Sequence, residues 1–282
     1  MKGRIFSLAF AVGFVALFIL SSALTYFWVK NRNVATTPEP EAAEPLYLST
    51  PKAVFLLVFT GGDEAGPFSL VALDGEAGRI PVFSFSGDTI FSEQSERVTA
   101  GELFRRLSAE GFTGAVEKEL SVEIAGYFFW DGESAERILA KTGTFDYRLQ
   151  KPLRYKKDDR TVDLAAGTQN MTAKKLVDVI TAPIFTETER SDLTSRLLAA
   201  FFERRLRRFL PQSGDLYETL TGSTETDVSA LDKGRYQDIF EVLAKKKSPV
   251  ASHVTCDTEK EEESGQLWFS SQSRDRVKKY FR

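Results

Sequence analysis

Residues 5–29 form a mostly apolar run of 25 residues that contains no charged side chain. An α-helix of this length crosses the hydrocarbon core of a bilayer, which is roughly 30 Å thick. A cleaved signal peptide is the alternative, because Ser21, Ser22 and Ala23 offer small residues to a peptidase. The apolar core of a signal peptide, however, spans only about 7–15 residues. The sequence therefore favours a transmembrane helix over residues 5–29, preceded by a short cytoplasmic tail at residues 1–4.

The charges that flank this run predict its orientation. Lys2, Arg4 and the terminal amino group stand before the run, whereas Lys30 and Arg32 follow it. The balance favours an N-terminus on the cytoplasmic side, where basic residues are retained. A long polar domain is exported largely regardless of its own charge. We therefore expect a single-span protein whose C-terminal region lies outside the cytoplasmic membrane.

Residues 30–50 separate the predicted span from the rest of the chain. This segment interleaves prolines with glutamates, which disfavours both helix and sheet. Like charges along such a linker also favour an extended chain. The composition predicts a stalk at residues 30–50 that holds a domain, residues 51–282, away from the membrane surface.

The charge balance of the chain restricts its partners. The chain has 37 Lys and Arg residues against 40 Asp and Glu residues, and four of the basic residues flank the predicted span. Nucleic acid is therefore not expected as a partner, because phosphate backbones are bound through a basic surface. Cys256 is the single cysteine, so no intramolecular disulfide can form.

Strand-like and helix-like segments mix along residues 51–282. Apolar runs at residues 53–59, 68–73 and 80–85 predict buried strands, two of which form a hairpin. The further pattern predicts strands at 123–130, 145–149 and 161–164, and helices at 102–107, 116–120, 133–141, 172–180 and 192–210. The chain has no repeat of about 20–50 residues, which argues against a solenoid. The order of elements predicts one mixed α/β domain.

Known catalytic motifs are missing from the sequence. The chain has no P-loop, no dinucleotide-binding glycine fingerprint, no nucleophile elbow and no Cys-x-x-Cys pair. His253 and Cys256 lie three residues apart, but zinc requires three or four protein ligands and no second His or Cys exists. A serine hydrolase would have to use His253, and no serine carries a mark of activation. The residues alone thus name no reaction.

The predicted helix at 192–210 has an apolar stripe opposite a row of arginines. The basic row consists of Arg196, Arg204, Arg205, Arg207 and Arg208. Guanidinium groups bind phosphate oxygens in a bidentate manner, so this row could contact a lipid pyrophosphate, a phosphorylated polymer or anionic head groups. An ordinary solvated face is the alternative, and the pattern leaves both open.

Five segments between residues 53 and about 260 follow one another in a characteristic order. These are VFLLVFTGGDEAGPFSLVALDGEAGRIPVFSFSGDTI (strand, Gly-x-Asp turn and following strands), ELSVEIAGYFFWDGESAERILAKTG (strand, short helix and glycine), VDLAAGTQNMTAKKLVDVI (a Gly-x-Gln motif), ERSDLTSRLLAAFFERRL (a long arginine-bearing helix) and TETDVSALD (a Thr-Asp-hydrophobic-Ser segment). In their order and motifs these segments resemble the LytR-CpsA-Psr (LCP) family.

The resemblance implies a fold, a location and a class of ligand. LCP proteins are single-span bacterial envelope proteins with an outer α-β-α domain built on a central mixed sheet. That domain binds polyprenyl-phosphate lipids and typically transfers a glycopolymer from its lipid pyrophosphate carrier to peptidoglycan, with assistance from Mg²⁺, carboxylates and arginines. The expected partners are accordingly a polyprenyl-phosphate lipid or an envelope glycopolymer, and the expected location is the bacterial cytoplasmic membrane.

The family's two opening carboxylates are kept in this chain. Asp63 matches the metal-holding aspartate of the Gly-x-Asp turn, and Asp88 matches the aspartate that follows a catalytic arginine. The neighbouring cations are not kept, because Ala65 and Gly87 stand where the family pattern has arginines. The resemblance therefore gives Asp63 as a weak metal-site candidate and Asp88 as a catalytic candidate.

The arginines of the later motifs are also reduced. Thr181 occupies the place where the Gly-x-Gln helix of the family ends in an arginine. At the start of the long helix Arg196 has a plausible match, whereas Leu193 takes the other position and Arg190 fits only a shifted alignment. Arg190 and Arg196 are thus catalytic candidates, and together with Arg204 they are candidates for binding the lipid phosphate.

Three functions remain open at this stage. The sequence favours a non-catalytic LCP-like domain that binds a polyprenyl-phosphate lipid or a partner in glycopolymer assembly, because loss of several cations from one phosphate site costs many orders of magnitude in rate. An active phosphotransferase with relocated arginines is the first alternative. A structural ectodomain without a lipid site is the second, and an apolar tunnel would discriminate against it.

Overall fold

Six strands form the centre of the domain. The computed structural model describes residues 52–61, 66–93, 96–157, 159–209, 220–229, 232–246, 249–260 and 266–282. The strands are β1 (Lys52–Phe59), β2 (Phe68–Asp74), β3 (Ile80–Phe85), β4 (Ile90–Glu93), β5 (Glu96–Thr99), β6 (Gly126–Trp130), β7 (Phe145–Leu149), β8 (Leu153–Lys157), β9 (Arg160–Leu164), β10 (Gly167–Met171), β11 (Glu225–Thr226), β12 (Ala251–Val254), β13 (Thr258–Lys260) and β14 (Leu267–Phe269). The helices are α1 (Ala100–Arg106), α2 (Ala109–Leu120), α3 (Gly132–Thr142), α4 (Ala173–Ile180), α5 (Glu187–Phe209), α6 (Lys233–Ala244) and α7 (Ser271–Phe281).

The central sheet is mixed and has the strand order β11-β6-β1-β2-β3-β12. β1 runs parallel to β6, and β3 runs parallel to β12, whereas the other neighbours are antiparallel. Four strands therefore end at the same edge of the sheet. Thr60, Ser86, Asp131 and Thr255 directly follow these four strands, and we call this edge the carboxyl edge.

Both faces of the central sheet are covered. In β1, Val54 and Leu56 belong to the core on one side of the sheet, whereas Ala53 and Phe55 belong to the core on the other side. This alternation follows from the period of two along a strand, and it explains why an apolar run without polar interruptions folds as a strand here. The predicted α-β-α arrangement with a central mixed sheet is thus observed.

One face of the sheet carries a cluster of phenylalanines, and we call it the packed face. Phe68, Phe83 and Phe85 project from the strands and are fully buried under α1, α2 and α7. The ring of Phe112 from α2 lies 4.9 Å from the ring of Phe68, and the ring of Phe269 lies 5.5 Å from that of Phe85. These distances are typical of closely packed aromatic pairs.

The opposite face lies under α5 and α6, and we call it the hollow face because it borders the cavity described below. Leu198 from α5 and Tyr236 from α6 pack against Phe55 and Val71 of the sheet. A third core continues from this face beyond β6, where α3, α4 and the pairs β7–β10 and β8–β9 enclose Trp130. α5 contributes to both of these cores and therefore joins them.

Local hydrogen bonds explain where several helices begin. Side chains of Thr99, Ser108, Asp131, Thr172 and Ser270 cap α1, α2, α3, α4 and α7 by accepting from a backbone N–H in the first turn. α5 begins with a reciprocal capping box, in which Thr186 and Glu189 each accept from the other's backbone N–H. This box starts α5 at Glu187, earlier than the predicted start at residue 192.

The sequence predictions agree with the observed elements to different degrees. The strands predicted at 80–85 and 145–149 have the observed bounds, and β1 to β3 form consecutive antiparallel pairs. The strand predicted at 123–130 starts only at Gly126, and the helix predicted at 116–120 is the end of the longer α2. The predicted span and stalk lie outside the described residues. Among the residues that are described, no helix has the length and hydropathy of a membrane span.

Candidate functional site

A cavity separates the hollow face of the sheet from its covering helices. It offers about 160 Å³ to the centres of water molecules, and its exposed lining is entirely apolar. The lining residues are Phe55, Leu57, Val71, Leu73, Phe128, Trp130, Ala135, Ile138, Leu139, Phe145, Leu176, Leu197, Leu198, Phe201, Phe202, Leu220, Thr224, Val228, Tyr236 and Phe240. Strands, four helices and the segment around β11 all contribute, so the cavity is a product of the whole fold.

Such a cavity is unusual for a protein interior. Protein interiors are close-packed. A cavity that holds one water molecule needs only roughly 10–15 Å³ of volume open to the centre of a water molecule, so this cavity is many times larger than a packing defect. Water is poorly held without polar partners, whereas empty apolar cavities take up hydrocarbon ligands. The chemistry of the lining therefore suits an apolar chain.

The walls of the cavity follow from the periodicities of the elements. Phe128 and Trp130 of β6 point into it, whereas the intervening Phe129 points to the other side of the sheet. On α5, Leu197, Leu198 and Phe201 face the cavity at helical spacing. The apolar stripe predicted on this helix is therefore a cavity wall along part of its length.

Arg190 and Arg196 lie in the first half of α5. Arg190 forms an ion pair with Glu187, and its Nη2 atom lies 3.5 Å from the carbonyl oxygen of Ala182. Arg196 pairs with Asp192 one turn earlier, at 2.9 Å. Both arginines are therefore partly neutralised by carboxylates of their own helix rather than gathered around a free site.

The same stretch of α5 holds polar atoms that lack partners. The Nε atoms of Arg190 and Arg196 and the Oδ1 atom of Asp192 are buried and have no hydrogen-bond partner within the described part of the chain. A buried donor or acceptor without a partner costs about 1–3 kcal/mol, so such atoms are normally satisfied. Three of them within two turns indicate a place where a polar ligand group would be stabilised.

A second cationic group lies at the end of α4. The carboxylate of buried Asp178 receives Arg160 through both guanidinium Nη atoms and lies 3.8 Å from Nζ of Lys157. Lys157 also donates to Oγ1 of Thr181 at 2.8 Å. A lysine from the β8–β9 pair thus reaches the position where the resemblance led us to expect an arginine. No local sequence pattern indicates this contact, because Lys157 is distant from Thr181 along the chain.

The remaining candidate residues make no hydrogen bond or ion pair with these groups in the described part of the chain. Asp88 is exposed in the turn after β3, where its backbone N–H donates to Oγ of Ser86 at 3.0 Å. No hydrogen bond or ion pair among the described residues joins Asp88 to Arg190 or Arg196. Arg204 is exposed and lies eight residues beyond Arg196, about 12 Å along the helix.

Metal binding has little support in the described part of the chain. Asp63 lies outside it, and no group of three or more His, Cys, Asp or Glu residues within it could hold a metal ion. Burial raises the pKa of the Cys256 thiol to about 12, so this sulfur stays protonated and is a poor metal ligand or nucleophile. Burial, with a smaller effect of Arg196, lowers the pKa of His253. The residues described do not supply a complete Mg²⁺ site.

The comparisons with known proteins identify the fold. No protein-family model and no curated protein sequence matches the chain. Several solved structures match it, among them TagV of B. subtilis, with a TM-score of 0.67 and 12% identity over 82% of this chain and 95% of that one. The LytR-Csp2A-Psr enzyme of Actinomyces oris matches with a TM-score of 0.66 and 15% identity over 82% of this chain and 90% of that one. TagT bound to LI-WTA matches with a TM-score of 0.60 and 12% identity over 81% of this chain and 88% of that one. The domain has an LCP-like fold, which confirms the resemblance found in the sequence.

Proposed function

We propose that this protein is a membrane-anchored, extracytoplasmic LCP-like protein of the bacterial cell envelope that binds a polyprenyl-phosphate lipid without catalysing transfer. The observation that carries the proposal is the apolar cavity on the hollow face, which suits the hydrocarbon chain of such a lipid. The structural neighbours support an envelope role, since one is an LCP enzyme and TagT was solved in complex with LI-WTA. A structural ectodomain without a lipid site would be expected to have a closely packed core in place of this cavity.

The phosphate end of the lipid is assigned to the first half of α5. The unpartnered Nε atoms of Arg190 and Arg196 are donors that suit phosphate oxygens. Leu197 and Leu198 line the cavity directly after Arg196, so a chain that leaves the cavity at this point brings its head group beside Arg196. Arg204 lies too far along α5 to share that phosphate.

The charge around these arginines argues against catalysis. Phosphoryl transfer requires preorganised cations that offset charge building up on the phosphate oxygens. Here Glu187 and Asp192 already neutralise Arg190 and Arg196, and no hydrogen bond or ion pair in the described part of the chain joins Asp88 to them. The site can hold an anion but does not present the surplus of positive charge that transfer demands.

An active phosphotransferase is the second candidate, and one observation favours it. Lys157 donates to Thr181, Arg160 binds Asp178 on the preceding turn, and Arg190 contacts the carbonyl oxygen of Ala182, so relocated cations do collect near the start of α5. Mg²⁺ would then be held by Asp63, the metal-site candidate that the resemblance gives, with Asp88 as a catalytic candidate.

Native mass spectrometry of the full chain in mild detergent tests the proposal. Polyprenyl pyrophosphate, polyprenyl phosphate and polyprenol would each be added, with and without Mg²⁺. We expect intact lipid to be retained, and phosphate-bearing lipids to be retained about tenfold more strongly than polyprenol. Release of phosphate products or transfer of a glycan would instead support the enzyme. Absence of lipid binding would leave a structural or protein-binding domain.

Matched variants locate the two ends of the lipid. Ala135→Phe fills the cavity from α3 and should abolish retention, whereas Ala140→Phe adds the same side chain to the exposed side of α3 and should not. Arg196→Gln should weaken the binding of phosphate-bearing lipids about tenfold and leave the binding of polyprenol unchanged. Arg204→Gln is its control on the same helix. Equal losses for both members of either pair would reject the assigned site.

A further inference from the structure

Basic side chains gather at the edge of the sheet opposite the carboxyl edge. β1, β3, β6 and β12 begin there, and the turn of residues 74–79 joins β2 to β3 at the same edge. We call it the amino edge. Four segments that are distant in the chain bring cations to it, and these cations are Lys52, Arg79, Lys246 and, at the end of α7, Lys278, Lys279 and Arg282.

Contacts with α7 hold several of these cations together. Nζ of Lys52 donates to the main-chain oxygen of Arg282 at 2.5 Å, and Nη2 of Arg79 donates to that of Lys279 at 3.4 Å. Nε of Arg282 in turn donates to the main-chain oxygen of Ser121, just after α2, at 3.0 Å. The start of β1, the start of β3 and the end of α7 therefore form one surface.

A lysine from the segment after α6 joins this surface at Gly78. A Cβ atom placed on Gly78 would come within 2.5 Å of Cε and 2.7 Å of Nζ of Lys246, so the lysine side chain lies directly over the turn. Gly78 has a φ of +67°, which glycine adopts without strain. Because the turn has no side chain here, the ammonium group of Lys246 can lie beside the residue that precedes Arg79.

The carboxylates near the amino edge do not cancel its positive charge. Asp74 is buried and pairs with both Arg79 at 3.2 Å and Lys52 at 4.0 Å, so one carboxylate serves two cations. Lys118 in the last turn of α2 adds a further exposed cation. The seven cations named on these segments outnumber the neighbouring carboxylates, which are Asp74, Glu76, Glu123 and Asp275. The chain as a whole has the opposite balance, with 40 acidic residues against 37 basic ones.

An aromatic ring lies within this basic surface. Tyr280 is half-buried, and the guanidinium group of Arg79 and the ammonium group of Lys279 lie 5.0 and 5.3 Å from the centre of its ring. Tyrosine with neighbouring basic residues is typical of surfaces at the head-group level of a membrane, because the ring has an apolar body and a polar tip. The amino edge therefore combines the charge and the aromatic character of an interfacial surface.

We propose that the amino edge docks on the anionic head groups of the membrane. Clustered like charges repel one another, and an anionic surface offsets that repulsion. β1 begins at Lys52, so the predicted stalk of residues 30–50 joins the domain at this same edge. A linker of that length spans at most about 75 Å. It keeps the edge at a roughly millimolar effective concentration beside the membrane, so that a weak affinity is sufficient for docking.

This inference rests on the membrane anchoring proposed above, and it adds an orientation of the domain. With the amino edge on the head groups, the carboxyl edge points away from the membrane. The predicted stalk then limits how far the domain can move from the surface, and the basic edge decides which side of the domain faces it.

Fluorescence of the full chain in nanodiscs tests the inference. Ala77→Cys places a thiol in the exposed turn at the amino edge. Glu102→Cys places one on α1 beside the carboxyl edge, where the N–H of Gly101 donates to the carbonyl oxygen of Gly87 after β3. The buried thiol of Cys256 stays protonated, so each added thiol takes a nitrobenzoxadiazole label selectively.

The expected result is a response to lipid charge at one position only. We expect the emission at residue 77 to be blue-shifted in nanodiscs that contain phosphatidylglycerol and not in pure phosphatidylcholine, and the emission at residue 102 to be the same in both. The shift at residue 77 should vanish at 1 M salt, where the Debye length is only about 3 Å.

Matched pairs of adjacent basic residues locate the docking surface. Lys278→Gln with Lys279→Gln removes two charges from the last turn of α7, whereas Arg105→Gln with Arg106→Gln removes two from the last turn of α1. One basic residue near an anionic surface strengthens attachment about fivefold. The first pair should therefore lower the ratio of docked to undocked domains about 25-fold. The second pair should leave that ratio unchanged.

Equal emission at residue 77 in both lipid compositions would overturn the inference, and this includes the case in which the acidic residues 39–44 cover the edge in place of lipid. Equal effects of the two pairs of substitutions would overturn it as well. Ala135→Phe and Arg196→Gln should leave the shift unchanged, which separates docking from the proposed lipid site. Retention of the chain in phosphatidylcholine nanodiscs tests the anchor by itself. A chain that associates only with phosphatidylglycerol, through residues 278 and 279, would lack the anchor and still support the docking surface.

Discussion

The packed face and the hollow face share the same sheet and differ in how they are filled. On the packed face, Phe68, Phe85 and Phe112 are fully buried and their rings lie 4.9 to 5.4 Å apart. On the hollow face, Phe201 and Phe202 of α5 are comparably apolar, yet they remain half-buried and line an empty space. The two faces are built from the same kinds of residue.

This contrast teaches that the cavity is held open by the placement of helices. Apolar side chains are available on both faces, and close packing is the favoured outcome wherever elements can approach. α5 is tied to the sheet beyond the cavity, where the Glu203 carboxylate accepts from the backbone N–H groups of Val250 and Ala251 at 2.7 and 2.9 Å. That attachment fixes the distance of α5 from the sheet and so preserves the space.

The largest expected effect concerns truncation of a ring on each face. Phe112→Ala removes a fully buried ring from a dense cluster and should lower the free energy of unfolding by about 3–5 kcal/mol. Phe202→Ala removes a ring that already lacks neighbours on one side, so it should cost only about 1–2 kcal/mol. Urea unfolding of the full chain in mild detergent, followed by tryptophan fluorescence, measures both.

The contrast between the two faces would be contradicted if Phe112→Ala and Phe202→Ala lowered the free energy of unfolding by the same amount. Equal losses would mean that Phe202 makes as many contacts as Phe112, and hence that the hollow face closes in solution. Phe202→Leu serves as the control, because it retains most of the apolar surface and should lie between the wild type and Phe202→Ala.

A smaller effect is expected from enlarging one small residue on each face. Ala72 is fully buried on the packed face, and Ala72→Leu should destabilise by about 1–3 kcal/mol through overpacking. Ala135 on α3 lines the cavity, and Ala135→Leu should be neutral or stabilise by about 1 kcal/mol, since the added carbons fill existing space. Thermal and urea unfolding distinguish a loss from a gain.

Opposite signs for these two substitutions would sharpen the comparison, because they show that one face has room and the other has none. The two hosts differ in secondary structure, and the preference of leucine for helix over strand accounts for less than about 1 kcal/mol. A loss above that amount at Ala135 would count against the cavity.

The smallest expected effect lies at the start of α3, the helix that contributes Ala135 to the cavity wall. Asp131 caps α3, and Asp131→Ala should cost about 0.5–2 kcal/mol at neutral pH. The folded-state pKa of Asp131 is lowered from its ordinary value of 3.8, so its stabilisation is complete above that value. It is lost as the pH falls through the lowered folded-state pKa. The difference between Asp131→Ala and the wild type should therefore shrink at acid pH.

Asp131→Asn separates the charge of this side chain from its capping role. Asparagine caps a helix about as well as aspartate, so stability at neutral pH should be largely retained while the contribution of this site to the pH dependence disappears. A difference between the wild type and Asp131→Ala that does not change between pH 7 and pH 3 would show that the charge of Asp131 is irrelevant.

The sequence predicted most accurately those elements whose bounds depend on the local residue pattern alone. The strand at 80–85 and the strand at 145–149 were found with the observed bounds, because short runs rich in β-branched and aromatic residues between turn signals have few alternatives. The start of α5 was missed by five residues, although the Thr186–Glu189 capping box was visible in the sequence as a signal. Three of the five residues of β8 are charged, so β8 was not predicted.

The candidate site was predictable only in part for a related reason. The resemblance directed attention to Arg190 and Arg196, and the structure places both in the first half of α5 with carboxylate partners. It could not reveal Lys157 beside Thr181, because that contact joins elements far apart in the chain. Asp63 and the predicted transmembrane helix lie outside the described residues, and they stay predictions.

The sequence by itself determined that the chain forms a mixed α/β domain with strongly apolar strands, because strand and helix periodicities and turn residues are local properties. It also determined that several arginines of the family motifs are replaced, since the identity of a residue does not depend on folding. Only the tertiary structure decided that the hollow face borders a cavity. The reason is that the spacing of apolar residues along the sequence is the same whether neighbouring elements pack closely against them or leave a cavity.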